Sequence, residues 1–340
     1  MNINLNISTC LISLCFLYPT KIDAQSKLVN SDYCYQKINL GYGPEDIVID
    51  TITNPAQPKL LVSCNSRRKT EKDISEIFVY DIKTQSTSPI KRIEPADLCF
   101  NPHGIDLVNE HDSLVLLVVS HCSANKTNSI VRYYWKNNTL YFLEKITDPA
   151  FTSPNAVSGF SDGSFLVSND ANKQGSIFEV LFKQKKAKVV YWKNGTAYFT
   201  DAKVCYGNGI LVNGNTIYQA STMPGEVYQY SFSNGKLSNK TTIAKVKGAD
   251  NIRLDGTNLV VAGHLKFGKF LKHMKNSNKK SPTAIFTINK DTHETNLLYY
   301  NTGEVISAAS TGLIYDHKLY IAQVFDNFIL EVNLDCHSKK

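Results

Sequence analysis

Six side chains with oxygen or nitrogen donors recur in one local context along this 340-residue chain. They are Glu45 in GPEDI, His103 in FNPHGI, Asn155 in PNAV, Asn208 in GNGI, and the adjacent Asp250 and Asn251 in ADNI. Each sits where a polar turn gives way to a short hydrophobic run. Two carboxylates and three amides supply oxygen donors only, which suits a hard cation. Calcium takes six to eight oxygens from carboxylates, carbonyls and waters. Glu45 and Asp250 balance its charge, and the set is too rich in oxygen for zinc or copper. A calcium ion with open coordination positions polarises an ester or lactone carbonyl and stabilises the oxyanion that forms on attack. The attacking water needs a base, and histidine titrates near neutrality. His103 is the candidate base, with His121 of LLVVSH orienting it or relaying the proton. Asp250 is the alternative base, and His264 of AGH is a candidate substrate contact.

These residues need elements that bring them to one point. Helical periodicity is almost absent, and short alternating runs such as Glu76–Ile82, Leu114–Ser120, Glu226–Phe232 and Lys318–Ala322 dominate. Similar openings at Pro44, Asn101, Ser153, Gly207, Ala249 and Ile306 lie 42 to 57 residues apart. Each is followed by a turn and a second hydrophobic run (LLVSC, LLVVSH, FLVSND, TIYQAS, LVVAGH, LYIAQV). Such repeats with about four strands each are the mark of propeller blades. The expectation is an all-β, six-bladed β-propeller of four-stranded blades spanning residues 25–340, with the innermost strands starting at the central axis. The sixth unit has room for about three strands, so Tyr35–Leu40 supplies the fourth and closes the ring. That closure brings Cys34 close to Cys336, and a disulfide there would lock the ring.

The apolar run Thr9–Tyr18 reads as the core of a signal peptide removed near Ala24, which implies a secreted or periplasmic protein. Six cysteines remain after such a cleavage, and no two stand as CxxC. Cys64, Cys99, Cys122 and Cys205 fall inside blades and are expected to be reduced. Sequons at Asn125, Asn137, Asn194 and Asn239 suit an exported surface. The net charge of +7 is dispersed except between Lys266 and Lys280, where Phe267, Phe270, Leu271 and Met274 interleave with lysines. This stretch reads as a short helix packed over the propeller mouth. The other reading of residues 265–280 is a surface that touches lipid. No nucleic-acid motif accompanies the charge, no serine nucleophile is expected, and the chain is expected to be a monomer.

At GPEDI, FNPHGI, LLVVSH, PNAV, GNGI, ADNI and AGH, taken in order and phase, the chain resembles the paraoxonase/arylesterase family of six-bladed propeller lactonases. The resemblance implies a catalytic Ca²⁺ held by Glu45, Asn155, Asn208, Asp250 and Asn251, a histidine dyad of His103 and His121, and a ring-closing Cys34–Cys336 disulfide. It also implies a second, structural calcium at Asp46 and the backbone carbonyl of Ile105. The third ligand of that site is an acidic residue in the family and Ala156 here, which removes a carboxylate. The segment Leu265–Ser281 looks more like the bacterial arylesterase-like members. The expected substrate is a small lactone or aryl ester. The alternatives are a calcium-stabilised binding propeller, and a sugar lactonase or strictosidine-synthase-like propeller enzyme.

Overall fold

The computed structural model describes residues 29–69, 71, 74–122, 127–173 and 182–337. The expected signal peptide and the Asn125 sequon lie outside these residues. Six antiparallel sheets follow one another around an axis as the blades of a β-propeller. Their innermost strands are Pro44–Asp50, Pro102–Glu110, Pro154–Gly159, Gly207–Asn213, Ala249–Asp255 and Ala309–Tyr315. The first five begin at or within one residue of the openings read from sequence. The sixth begins three residues later, after the turn at Ser307 and Ala308. Blade 2 departs from the four-stranded expectation: Lys91–Ile93 pairs parallel to its outer strand Thr139–Ile146 and makes a fifth strand.

Alternation alone does not pack a propeller, because both faces of every blade meet another blade. The second strands are therefore buried almost throughout, as in Lys59–Asn65 and Ser113–Cys122. Six hydrophobic clusters form, one at each blade–blade interface. Leu61 and Ile77 of blade 1 meet Leu116 and Tyr133 of blade 2, and so on round to Leu313 and Tyr320 of blade 6 against Ile47 and Leu60 of blade 1. Each fully buried Leu, Ile or Val in such a layer contributes about 1.5–3 kcal/mol.

The ring closes as expected. Tyr33–Asn39 pairs antiparallel with Phe328–His337 and becomes the outer strand of blade 6. Cys34 and Cys336 are disulfide-bonded, with Cα atoms 5.3 Å apart across a sequence separation of 302. A second disulfide corrects the expectation of reduced blade cysteines: Cys99 and Cys122 are joined, Cα to Cα 5.5 Å. The reason is register. Pro102 faces Ser120 in the blade 2 hairpin, and His121 N–H donates to the Asn101 carbonyl. Continuing that antiparallel pairing outward sets Phe100 opposite Cys122, which leaves the neighbouring Cys99 within disulfide reach of it. Cys64 and Cys205 are buried thiols.

The sequon residues Asn137, Asn194 and Asn239 are exposed and have positive φ, the first two at turns and Asn239 within the strand Lys236–Lys245. No helix among the described residues is long and apolar enough to cross a membrane.

Candidate active site

Every innermost strand slips register within its first residues: after Pro44, Pro102, Pro154, Gly207, Ala249 and Ala309. A bulge of this kind leaves a residue unpaired and re-aims its side chain. The slips fall on Glu45, His103, Asn155, Asn208 and the pair Asp250 and Asn251, which is why these polar side chains leave the sheet and gather at the axis. Glycine makes the crowding possible. A Cβ on Gly104 would lie 2.4 Å from the Asn155 carbonyl oxygen, and one on Gly209 would lie 2.7 Å from that of Asp250. Buried serines of the second strands support the bulges: Ser63 accepts from the Asp46 amide, and Ser168 from the Ala156 amide.

Glu45, His103, Asn155, Asn208, Asp250 and His264 all line one pocket of about 120 Å³ at the mouth of the axis, together with Tyr206, Thr222, Phe267, Phe270 and Val324. Two expected residues stand one step back. Asn251 donates through its amide nitrogen to Glu45 Oε1 and to Thr311 Oγ1, each at 3.0 Å. The His121 ring meets the His103 ring edge-on with centroids 5.2 Å apart, and Asn128 Oδ1 holds its Nδ1 at 2.9 Å.

Three buried oxygens of the pocket residues have no hydrogen-bond partner in the protein: Glu45 Oε2, Asn155 Oδ1 and Asn208 Oδ1. The companion atoms of two of them are engaged. Glu45 Oε1 accepts from Asn251, and the Asn208 amide nitrogen donates to Thr222 Oγ1 at 3.2 Å. Lone buried acceptors are costly unless something electropositive faces them. Burial, with the Asp46 and Asp250 carboxylates nearby, pushes the Glu45 carboxyl up to about 8. The donor set and its orphaned oxygens fit a calcium ion. Among the described residues no group of three or more His, Cys, Asp and Glu side chains forms a metal cluster. The convergent donors here are two carboxylates and neutral amides.

The second expected calcium position does not fit. Asp46 Oδ1 and the Ile105 carbonyl both accept from Arg253 Nη2, at 2.6 and 3.0 Å. Ala156 adds no carboxylate there.

Arg67 went unread in the sequence. Its guanidinium donates to the carbonyls of Gly43, Asn65 and Val324 and reaches His103 Nδ1 at 3.0 Å. Arginine only donates, so Nδ1 accepts and the neutral ring carries its proton on Nε2, which lies 4.0 Å from Glu45 Oε1. Burial, then the Arg67 charge, hold His103 well below the usual histidine range. The available signal was a pair of arginines just beyond the second strand of a blade, where such strands end at the mouth. Across the pocket, His264 Nε2 and Asp250 Oδ2 are hydrogen-bonded at 2.6 Å.

The lid follows the packed-helix reading. Phe267–Lys275 is helical. Phe270 packs on His264 and on Phe325, with centroids 4.5 and 5.3 Å away. Arg68 ties the helix down through the carbonyl and Nε2 of His273, while also pairing with Glu71 and Asp326. The pentapeptide Gly159–Gly163 (GFSDG) matches the spelling GxSxG. It forms the turn between the first two strands of blade 3, with Ser161 exposed and no helix following, so it is no nucleophile elbow.

Comparisons with known proteins agree with this architecture. The chain is 25% identical over 240 residues to rat serum paraoxonase/arylesterase 1, covering 66% of each chain. It is 23% identical over 236 residues to human serum paraoxonase/arylesterase 2, covering 66% of this chain and 67% of that one. The match thus spans just under two thirds of the rat relative's length. A gluconolactonase from Xanthomonas campestris has the same fold, with a TM-score of 0.58 at 12% identity over 90% of this chain and 95% of that one. A putative oxidoreductase (glucose dehydrogenase) from Thermus thermophilus does so with a TM-score of 0.51 at 10% identity, over 88% and 99%. The arylesterase family model matches residues 65–332, and on that match across most of the propeller the chain belongs to the arylesterase family.

Proposed function

We propose that this propeller is a calcium-dependent hydrolase of lactones and aryl esters, acting at the axial mouth. The observation that carries the reading is the set of three buried, unpartnered oxygens on Glu45, Asn155 and Asn208, gathered with Asp250 in one pocket. Glu45, Asn155, Asn208, Asp250 and Asn251 would hold the ion. A bound calcium would polarise the substrate carbonyl and stabilise the developing oxyanion.

The chain's own groups handle the proton and the substrate. Asp250, held at 2.6 Å by His264, takes the proton of the attacking water. His103, the base expected from sequence, instead presents Nε2–H to the pocket because Arg67 occupies Nδ1, and it donates to a substrate oxygen. His121 buttresses the His103 ring. Phe267 and Phe270 line the mouth and favour apolar acyl or aryl groups over sugars. Two disulfides suit an oxidising compartment, in line with a secreted or periplasmic enzyme.

The test is turnover of a panel of acyl-chain, sugar and aryl lactones and aryl acetates, with EGTA and after calcium is restored. Hydrolysis that EGTA abolishes and calcium rescues is expected, strongest on apolar substrates. A panel left wholly unhydrolysed with calcium present would reject the enzyme reading in favour of a binding propeller.

A further inference from the structure

One residue beyond Glu45 on the same strand, Asp46 is a buried carboxylate with four donors. Oδ1 accepts the Ile47 amide at 3.0 Å, Thr311 Oγ1 at 2.9 Å and Arg253 Nη2 at 2.6 Å. Oδ2 accepts the Ile105 amide at 2.9 Å. The guanidinium that meets it is used almost completely. Arg253 Nε donates to the Ile47 carbonyl at 2.7 Å, Nη1 to Ile252 at 3.1 Å, and Nη2 also to Ile105 at 3.0 Å. Three contacts thus run from one blade 5 side chain to blades 1 and 2, and Thr311 brings in blade 6. A calcium ion here would need the Asp46 carboxylate and the Ile105 carbonyl at about 2.3–2.6 Å. Both already face a fixed positive charge, and a second cation cannot share that space.

We propose that Arg253 is the second axial cation of this propeller, a side chain built in where a structural metal would otherwise sit, and that the chain therefore binds one calcium ion, at the mouth. The ion count rests on the reading given under Proposed function; the role of Arg253 does not. A guanidinium suits the task because its planar fork reaches several acceptors at once. It is also covalently attached, so blades 1, 2, 5 and 6 stay tied when calcium is withdrawn. Ala156 belongs to the same arrangement, since a carboxylate there would be balanced by a divalent ion and is not needed beside a single charge.

The experiment is calcium titration calorimetry on the full, chelator-treated chain, with thermal melting in EGTA and in excess calcium. The variants are Ala156→Asp, Arg253→Ala, and the two combined. Wild type is expected to bind one calcium, and so is Ala156→Asp, because Arg253 still fills the position. Arg253→Ala is expected to melt roughly 10 °C lower in EGTA, the usual scale for unpairing a buried charge. The double variant is expected to gain a second calcium that restores part of that loss. Two calcium ions in wild type, or unchanged melting of Arg253→Ala in EGTA, would overturn the proposal. If the double variant does not fold, the wild-type count decides. No calcium in wild type, with one gained by the double variant, would keep the role of Arg253 and reject the mouth site.

Discussion

The half-buried Arg67 guanidinium meets Nδ1 of His103 at 3.0 Å. This contact underlies the donor role proposed for His103: with Nδ1 accepting from Arg67, the neutral ring keeps its proton on Nε2.

The variants of His103 should therefore separate donor from base. Glutamine keeps an N–H near the position of Nε2, so His103→Gln is expected to retain lactone kcat/KM within about tenfold. Asp250→Asn should cost roughly 10²–10⁴-fold, the usual range for losing a general base. Steady-state kinetics at saturating calcium, with calcium affinity measured alongside, checks both. A loss above 10²-fold in His103→Gln with calcium affinity intact would return the base role to His103.

Calcium should stabilise the fold in a pH-dependent way through Glu45. Its folded carboxyl lies at about 8 against an ordinary 4.5. In metal-free protein the stability contributed by the protonated group is full below 4.5 and is lost as pH rises through 8. Melting in EGTA should therefore fall between pH 5 and 8.5, while melting in calcium should not. Calcium at 100 times its Kd adds about 2.7 kcal/mol, so the gap should widen with pH. Glu45→Gln should flatten the EGTA profile and weaken calcium binding.

The two disulfides should differ in worth because they close loops of different length. In the loop-entropy description the Cys34–Cys336 bridge, with its separation of 302, contributes about 5–6 kcal/mol, and Cys99–Cys122, with 23, about 3 kcal/mol. Cys336→Ser should therefore lower the denaturation midpoint more than Cys122→Ser. Peptide mapping of alkylated, unreduced protein should find Cys64 as a thiol and both bridges intact.

Acid should loosen the lid. His273 Nδ1 lies 2.7 Å from the Lys279 carbonyl and Nε2 lies 3.0 Å from Arg68 Nη2, so the neutral ring donates at one end and accepts at the other. Burial holds His273 below its ordinary 6.5, and Arg68 and Lys280 add to this. Asp326 and the Lys279 carbonyl oppose it. A histidine depressed in the fold contributes fully above 6.5, and that contribution is lost as pH falls through its folded value. Amide protection factors within Phe267–Lys275, corrected for the intrinsic pH dependence of exchange, should fall below pH 6.5, and His273→Gln should remove most of that change.

Sequence by itself determined the propeller, its phase and its closure. The openings at Pro44, Asn101, Ser153, Gly207 and Ala249 fall at or beside true strand starts because a repeated strand-turn-strand unit repeats its turn chemistry as well. The same repeat put Glu45, His103, Asn155, Asn208 and Asp250 at one end of five of the six converging strands, so the pocket they line was legible without coordinates. Tertiary structure decided what those residues meet. Arg67 and Arg253 reach the axis from positions with no fixed offset in the repeat, since a long side chain can cross from one blade to another. Their partners lie 36 residues away in one case and 207 in the other, and no local pattern encodes such distances. The Cys99–Cys122 bridge, the slip that turns each polar side chain to the axis, and the guanidinium that stands at Asp46 all depend on register and packing, which exist only once the ring has closed.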